Sequence, residues 1–387
     1  MDDNLLHYFE RELTYIRELG SEFARKYPKI AGRLQLEPDK CEDPHTERLI
    51  EAFAFLCARI HKKLDDNLPE ITESLLSIIY PHYLNPIPSM TMVRFNPVKQ
   101  GIPATGYHIP RNTLLFSKPV AGTACRFTTS YPVTLWPIDV VSAQIKDPDK
   151  QVAGAVKQVT ISLKTWNNGS LSELPLKNVR FYLNGPHQHV FHLYELLFNN
   201  VCRVEIRSED KSGRRETLQL DPKCILPVGF EKDEAMLPFS ERSFPGYILL
   251  FEYFCFPEKF LFFDLDGIGR LNKPDLGDTL DIILYLNKAP KPDLVVNQDT
   301  FCINTTPAAN LFERVAEPVR IDRQKTEYRL VPDIRRQEAT EIYQINRIVS
   351  IQEGEGKEAH EFRPFYSIRH HLEDTEKKRK VFWHIQR

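Results

Sequence analysis

The run Phe262-Phe263-Asp264-Leu265-Asp266-Gly267 sets two aspartates two positions apart at the end of an apolar stretch. Phosphatases that work through an aspartyl phosphate use this arrangement. The first carboxylate attacks phosphorus, the second serves as acid and base, and both help to hold Mg2+. Here Ile268 stands where such enzymes carry a hydroxyl residue, and Arg270-Leu271-Asn272-Lys273-Pro274 does not open the helix they need. The segment therefore reads as a strand running into an acidic turn, with a Mg-dependent hydrolase as the alternative. His187, His189 and His192 are close enough to bring two imidazoles to one metal. Specific zinc sites usually add thiolates or carboxylates at short spacing, so surface or packing roles are the better reading. His370 and His371 would point to opposite faces of a strand. Cys41 and Cys57 share a helical region with His45 and His61, but a reactive thiol also needs a shaped cleft. No GxSxG, HExxH, P-loop or GxGxxG occurs. The expectation is no enzyme, no metal and no cofactor.

The surrounding chain sets limits on partners. Lys and Arg number 51 against 53 Asp and Glu, a net charge of -2 that gives no general field toward nucleic acid or anionic membrane. The basic run Lys377-Lys378-Arg379-Lys380 follows Glu373, Asp374 and Glu376, whose charges partly cancel it. The N-terminus MDDNLLHYFERELTYIREL lacks a basic start and an apolar core, so no secretory signal and no membrane insertion are expected. Seven widely spaced cysteines without a CxxC pair fit a reduced, cytoplasmic protein.

Leu5, Phe9, Leu13, Ile16, Leu19, Phe23 and Tyr27 recur at spacings of three and four, which predicts one amphipathic helix over 3–26 that Pro28 ends. Asp43-Pro44 is a helix start, with Asp as cap and Pro where no donor is needed. Leu49, Phe53, Leu56, Ile60 and Leu64 form its stripe, and a third helix begins at Glu70. Pro81, Pro86 and Pro88 then impose extended or turn geometry. Beyond them, short β-prone runs bounded by Pro or Gly predict strands at 90–95, 113–116, 125–129, 133–136, 159–163 and 179–183. Further strands are predicted at 260–263, 282–286, 301–303, 328–331 and 342–351, with a loop at 352–359. A helix is predicted at 190–199, and Phe244-Pro245-Gly246 reads as a turn before an aromatic-rich stretch.

The fold class is α+β: a helical module at 1–85, followed by predominantly antiparallel sandwich or barrel-like domains at 86–240 and 241–387. The chain stops on the apolar run 381–385, which leads us to expect a truncated second β-rich domain.

Long strings in the helical module resemble the TssF family of the type VI secretion baseplate: YFEREL at 8–13, EFARKYPKIAGRL at 22–34, DPHTERL at 43–49, EAFAFL at 51–56, KLDD at 63–66 and YPHYLNPIPSM at 80–90. FLFFD at 260–264, NTTPAANLFE at 304–313, AEPVRI at 316–321 and YRLVPD at 328–333 continue the resemblance. It implies a structural wedge subunit that assembles with a second TssF copy, TssG, TssE and TssK around the VgrG hub, beneath the inner-membrane secretion complex. Such a wedge couples the state of the baseplate to sheath contraction. A free-standing β-rich binding module is the remaining alternative. The apolar face of the first helix must be buried within the chain or against partner helices. This makes Leu5, Phe9, Leu13, Ile16 and Phe23 the candidate interface, and Leu13→Asp with Ile16→Asp is expected to abolish recovery of a complex.

Overall fold

The computed structural model describes residues 3–32, 44–67, 69–98, 101–210, 213–239, 243–271, 276–322, 324–325, 327–350, 360–364, 382–383 and 385. The chain divides into two compact units, 1–79 and 80–387.

The first unit is helical. It contains α1 (Asp3–Lys26), the single turn α2 (Pro28–Ala31), α3 (Pro44–Asn67) and α4 (Pro69–Ile79). Three of these open on proline, whose fixed φ suits a first turn and whose missing N–H costs nothing there. The expected Asp43 cap lies outside the described residues. α1 and α3 run antiparallel. The Tyr8 hydroxyl donates to Asp65 at 2.8 Å, His61 lies 3.7 Å from Glu12, and Arg17 donates to Glu47. Ala54 and Ala58, one turn apart on α3, are fully buried, and small side chains at that spacing let a second helix approach closely.

The second unit opens with α5 (Pro81–Leu84), then β1 (Met90–Arg94), β2 (Tyr107–Ile109), β3 (Leu114–Val120), β4 (Thr123–Thr129), β5 (Val133–Leu135), β6 (Ile138–Lys146), β7 (Lys157–Thr165) and β8 (Asn178–Leu183). After α6 (His187–Asn199) come β9 (Val201–Asp210), β10 (Arg215–Leu220), β11 (Ile225–Val228), α7 (Pro245–Cys255), β12 (Phe262–Asp266), β13 (Leu276–Leu286), β14 (Phe301–Cys302) and β15 (Thr305–Ala309). β16 (Ile348–Ser350), β17 (His360–Pro364) and β18 (Phe382–Trp383) form a small last sheet.

The main sheets have the orders β10-β9-β13-β7-β6, β11-β12-β8-β14 and β1-β15-β4-β3, and β2 pairs with β5. Among the described residues every pairing is antiparallel except β17 with β18. Helices followed by antiparallel sheets make the α+β class expected from the sequence. β13 lies between β7 and β9, and β12 lies between β8 and β11, so strands from both sides of residue 240 share sheets.

One apolar core joins the five-stranded sheet, the β11-β12-β8-β14 sheet and α6. It includes Ile161, Val204 and Ile282 from the first, Phe181, Phe263 and Phe301 from the second, and Leu193, Leu196 and Leu197 from the helix. Phe181 stacks on Phe263 at 5.2 Å, with Phe301 edge-on to both.

Several local expectations need correction. Residues 81–84 coil into a helical turn because Pro81 occupies a first-turn position, where it disrupts no bond. Phe244-Pro245-Gly246 is likewise a helix entry, with Pro245 heading α7. Among the described residues, 328–331 are β-prone but join no sheet, and within 342–350 only 348–350 form a strand, 351 lying outside the described residues. The expected loop at 352–359 lies outside the described residues.

Candidate interaction surfaces

Asp264 sits on β12 directly opposite Arg180 of β8. Arg180 Nε and Nη2 donate to its two carboxylate oxygens at 2.7 and 2.8 Å, a planar fork that occupies both oxygens. Burial works against the guanidinium charge, but the hydrogen bonds and field of Asp264 prevail and hold Arg180 above its ordinary pKa. The guanidinium also lies 5.6 Å from the centre of the Tyr131 ring, whose buried hydroxyl donates to the Lys259 carbonyl at 3.0 Å. Burial pushes that phenol well up. Asp264 is thus a counter-ion inside a closed network, while Asp266 is exposed at the strand end.

The three histidines diverge. His187 meets Glu258 at 2.9 Å, His189 lies 3.7 Å from Asp293 and His192 lies 3.6 Å from Glu195. Among the described residues, no group of three or more His, Cys, Asp or Glu is placed to hold a metal ion. Cys57 is half-buried. Cys41, His370, His371 and the 377–380 basic run lie outside the described residues.

A second network, which the sequence reading missed, lies beneath α7. Glu252 is the only charged residue of that helix, and it is fully buried. Its Oε1 accepts from the Met236 and Leu237 amides at 2.8 and 2.9 Å, and its Oε2 accepts from the ammonium of Lys259, equally buried. Lys259 also donates to the Glu234 carbonyl at 3.2 Å. Desolvation draws its pKa down, against the opposing pull of Glu252. Nearby, buried His82 shares a 2.7 Å hydrogen bond from Nε2 to the Pro238 carbonyl, while Nδ1 is buried without a partner. Burial lowers its pKa, and the Pro238 bond and the Glu252 charge work the other way.

With its charge turned inward, α7 shows solvent the apolar side chains of Tyr247, Leu250, Tyr253 and Phe254. A surface helix normally does the reverse. The legible signal was one acidic residue in an otherwise apolar, aromatic run of eleven.

In the helical unit, the candidate residues Leu5, Phe9, Leu13, Ile16 and Phe23 are all half-buried on α1. The open apolar stripe is on α3, where Leu49, Phe53, Leu56, Ile60 and Leu64 are 71, 59, 53, 58 and 57% exposed. Their spacings of four, three, four and four keep all five on one face of α3, as in a helix that packs against another helix.

A chain with apolar helical faces open to solvent, and with Asp264 and Glu252 each taken up by an ion pair, presents surfaces of the kind that partner proteins cover. The chain belongs to the TssF family of the type VI secretion system, whose model matches residues 1–387. It is 35% identical over 381 residues to the type VI secretion system component TssF1 of Pseudomonas aeruginosa, an alignment covering 95% of this chain and 61% of that protein. It also resembles a chain in the cryo-electron microscopy structure of a type VI secretion TssK-TssF-TssG baseplate subcomplex. The TM-score is 0.68 at 29% identity, over 84% of this chain and 59% of that one. The chain therefore spans about three fifths of the length of these relatives.

Proposed function

We propose that this chain is a structural, non-catalytic subunit of a type VI secretion baseplate, acting through helix and sheet contacts with other subunits. The observation that carries this reading is the open apolar stripe of α3 in a member of the TssF family. Five large apolar side chains in one seam have no reason to face water unless a partner covers them. The solved relative lies in a complex with TssK and TssG, which makes a TssG-like chain and a TssK-like chain the first partners of this reading. A second copy of this chain, a TssE-like protein and the VgrG hub complete the wedge it describes. The half-buried α1 residues Leu5, Phe9, Leu13, Ile16 and Phe23, on the helix that packs against α3, are the second contact surface of this reading.

In this reading the wedge works in the cytoplasm beneath the inner-membrane complex. Among the described residues no helix is long and apolar enough to cross a membrane. Its mechanism is mechanical: packed interfaces with two arrangements of similar free energy pass the baseplate state to the sheath. The test is co-expression with TssG-like and TssE-like proteins, followed by size-exclusion chromatography with mass determination. A stable species holding two copies of this chain per TssG-like chain is expected. A monomer beside a free partner, both for this chain and for a full-length relative, overturns the reading.

A further inference from the structure

Independently of that assembly, a groove runs between α6 and the segment following β11. The inner face of α6 is buried through Val190, Leu193, Leu196 and Leu197. Its outer face should be polar, yet it carries Phe191, Tyr194 and Phe198, at spacings of three and four, all half-buried. Tyr194 and Phe198 lie 4.4 Å apart, tilted by 42°. Pro227 and Phe230 form the opposite wall of a shallow groove, open to solvent, with a volume of about 460 Å3. Phe230 rests on Phe260 at 5.0 Å, so this wall is backed by another ring.

Three features narrow the occupant. The Tyr194 hydroxyl has no hydrogen-bond partner among the described residues, and burial alone pushes its pKa up to about 12. It opens to solvent at the groove wall, a donor available to an incoming acceptor. Among the described residues, the only charged one lining the groove is Glu195, and no cation lines it. Glu195 is half exposed and holds Lys288, also about half exposed, at 3.3 Å, an exposed pair of the weakly held kind that an incoming cation can join. Glu258 adds a second carboxylate nearby through His187, whose ring stands edge-on to Phe191.

Aromatic ladders of this type take either unstacked nucleobases or proline rings. Single-stranded nucleic acid also needs a positive track for its phosphates, and among the described residues no cationic side chain lines this groove, Lys288 being held by Glu195. A polyproline II segment fits each feature. Its rings sit between aromatic side chains, its carbonyls are unbonded and accept from a tyrosine hydroxyl, and its preformed helix loses little entropy on docking. We infer that the groove of Phe191, Tyr194, Phe198, Pro227 and Phe230 is a docking site for an extended, proline-containing segment of a partner protein, with an Arg or Lys of that segment against Glu195.

The test is fluorescence anisotropy of a fluorescein-labelled oligoproline bearing arginines at both ends, titrated with the purified chain. Two comparison peptides carry glutamates in place of the arginines, or alternating Gly and Ser in place of the prolines. Saturable binding of the arginine peptide is expected, weakened about tenfold or more by Tyr194→Ala or Phe198→Ala. A few-fold loss is expected for Tyr194→Phe, which keeps the ring and removes only the donor. Glu195→Gln is expected to weaken the arginine peptide and leave the glutamate peptide no worse. Circular dichroism melts establish that each variant is folded. Absence of saturable binding overturns the proposal. So does equal affinity for the Gly/Ser peptide, or binding that folded Tyr194→Ala and Phe198→Ala variants retain in full. If the arginine peptide fails but a partner's folded helix binds with the same variant sensitivity, the groove is a helix site and the polyproline assignment is wrong.

Discussion

Arg180 and Asp264, 84 residues apart in sequence, meet across adjacent strands in a two-pronged ion pair whose bonds measure 2.7 and 2.8 Å. Both oxygens of the carboxylate that could have served as a phosphatase nucleophile are thereby engaged. Replacing Asp264 with Ala strands a largely buried guanidinium, because the next acid, Glu234, is 3.9 Å away and holds the amides of Gly229 and Glu231. A loss of about 3 kcal/mol in urea unfolding is expected, the low end for breaking a buried pair since Arg180 keeps some exposure. Mg-dependent hydrolysis of a phosphomonoester that Asp264→Asn abolishes would instead restore the nucleophile reading.

The pair beneath α7 differs in being wholly buried, and it fixes that helix to the 234–237 segment. Glu252→Gln leaves the Lys259 ammonium without its counter-charge and is expected to cost about 3–5 kcal/mol. Lys259→Met leaves Glu252 with its two amide donors, so its cost should be smaller. In the double variant, the Gln carbonyl still accepts from those amides and no buried charge remains. It should therefore be more stable than the sum of the single losses by about 1–3 kcal/mol. Simple additivity in chemical denaturation would show that the two groups are not energetically coupled.

His82 supplies a pH dependence of definite sign. Burial lowers its folded-state pKa below the ordinary value of 6.5, so the folded state binds fewer protons than the unfolded one around that pH. Its contribution is fully present above about pH 6.5 and is lost as the pH falls toward the folded-state pKa. Urea unfolding between pH 8 and pH 5.5 is expected to show a decline that is shallower in His82→Gln, whose amide can still donate to the Pro238 carbonyl but does not titrate. Identical slopes in the two proteins would mean that His82 makes no contribution of this kind.

The elements that were legible are those whose signal is local. The three-and-four spacing in α1 and α3 marks both helices within a turn, and the prolines at 28, 44 and 69 sit where a helix tolerates them. The Pro245-Gly246 pair misled because the same residues serve a turn or a first helical turn, and the run from Tyr247 to Cys255, apolar except for Glu252, continues the helix. The β-prone run at 328–331 has no neighbouring strand among the described residues, and a strand is defined by pairing as much as by propensity. The placement of β13 between β7 and β9, the match of Arg180 to Asp264 and the burial of Glu252 all depend on long-range contacts. No pattern within one window encodes them. For the helical faces, the sequence displays two stripes but not which one is covered. α3 turns the buried alanines 54 and 58 inward and leaves its larger stripe open.

That asymmetry separates two kinds of failure in the assembly experiment. Leu13 and Ile16 are half-buried on α1, so Leu13→Asp or Ile16→Asp places a carboxylate against apolar neighbours and damages the helical unit itself. Phe53, Leu56 and Ile60 are more than half exposed, so Leu56→Asp with Ile60→Asp should change the stability of the isolated chain by no more than about 0.5 kcal/mol each. If the open stripe is the seam for a partner helix, the α3 variants remain folded, with unchanged melting by circular dichroism. They nevertheless lose the TssG-like chain in co-purification. The α1 variants lose both. Folded α3 variants that still recover the partner at wild-type yield would move the contact elsewhere on the chain, with the apolar outer face of α7 the next surface to test by the same substitutions at Leu250 and Phe254.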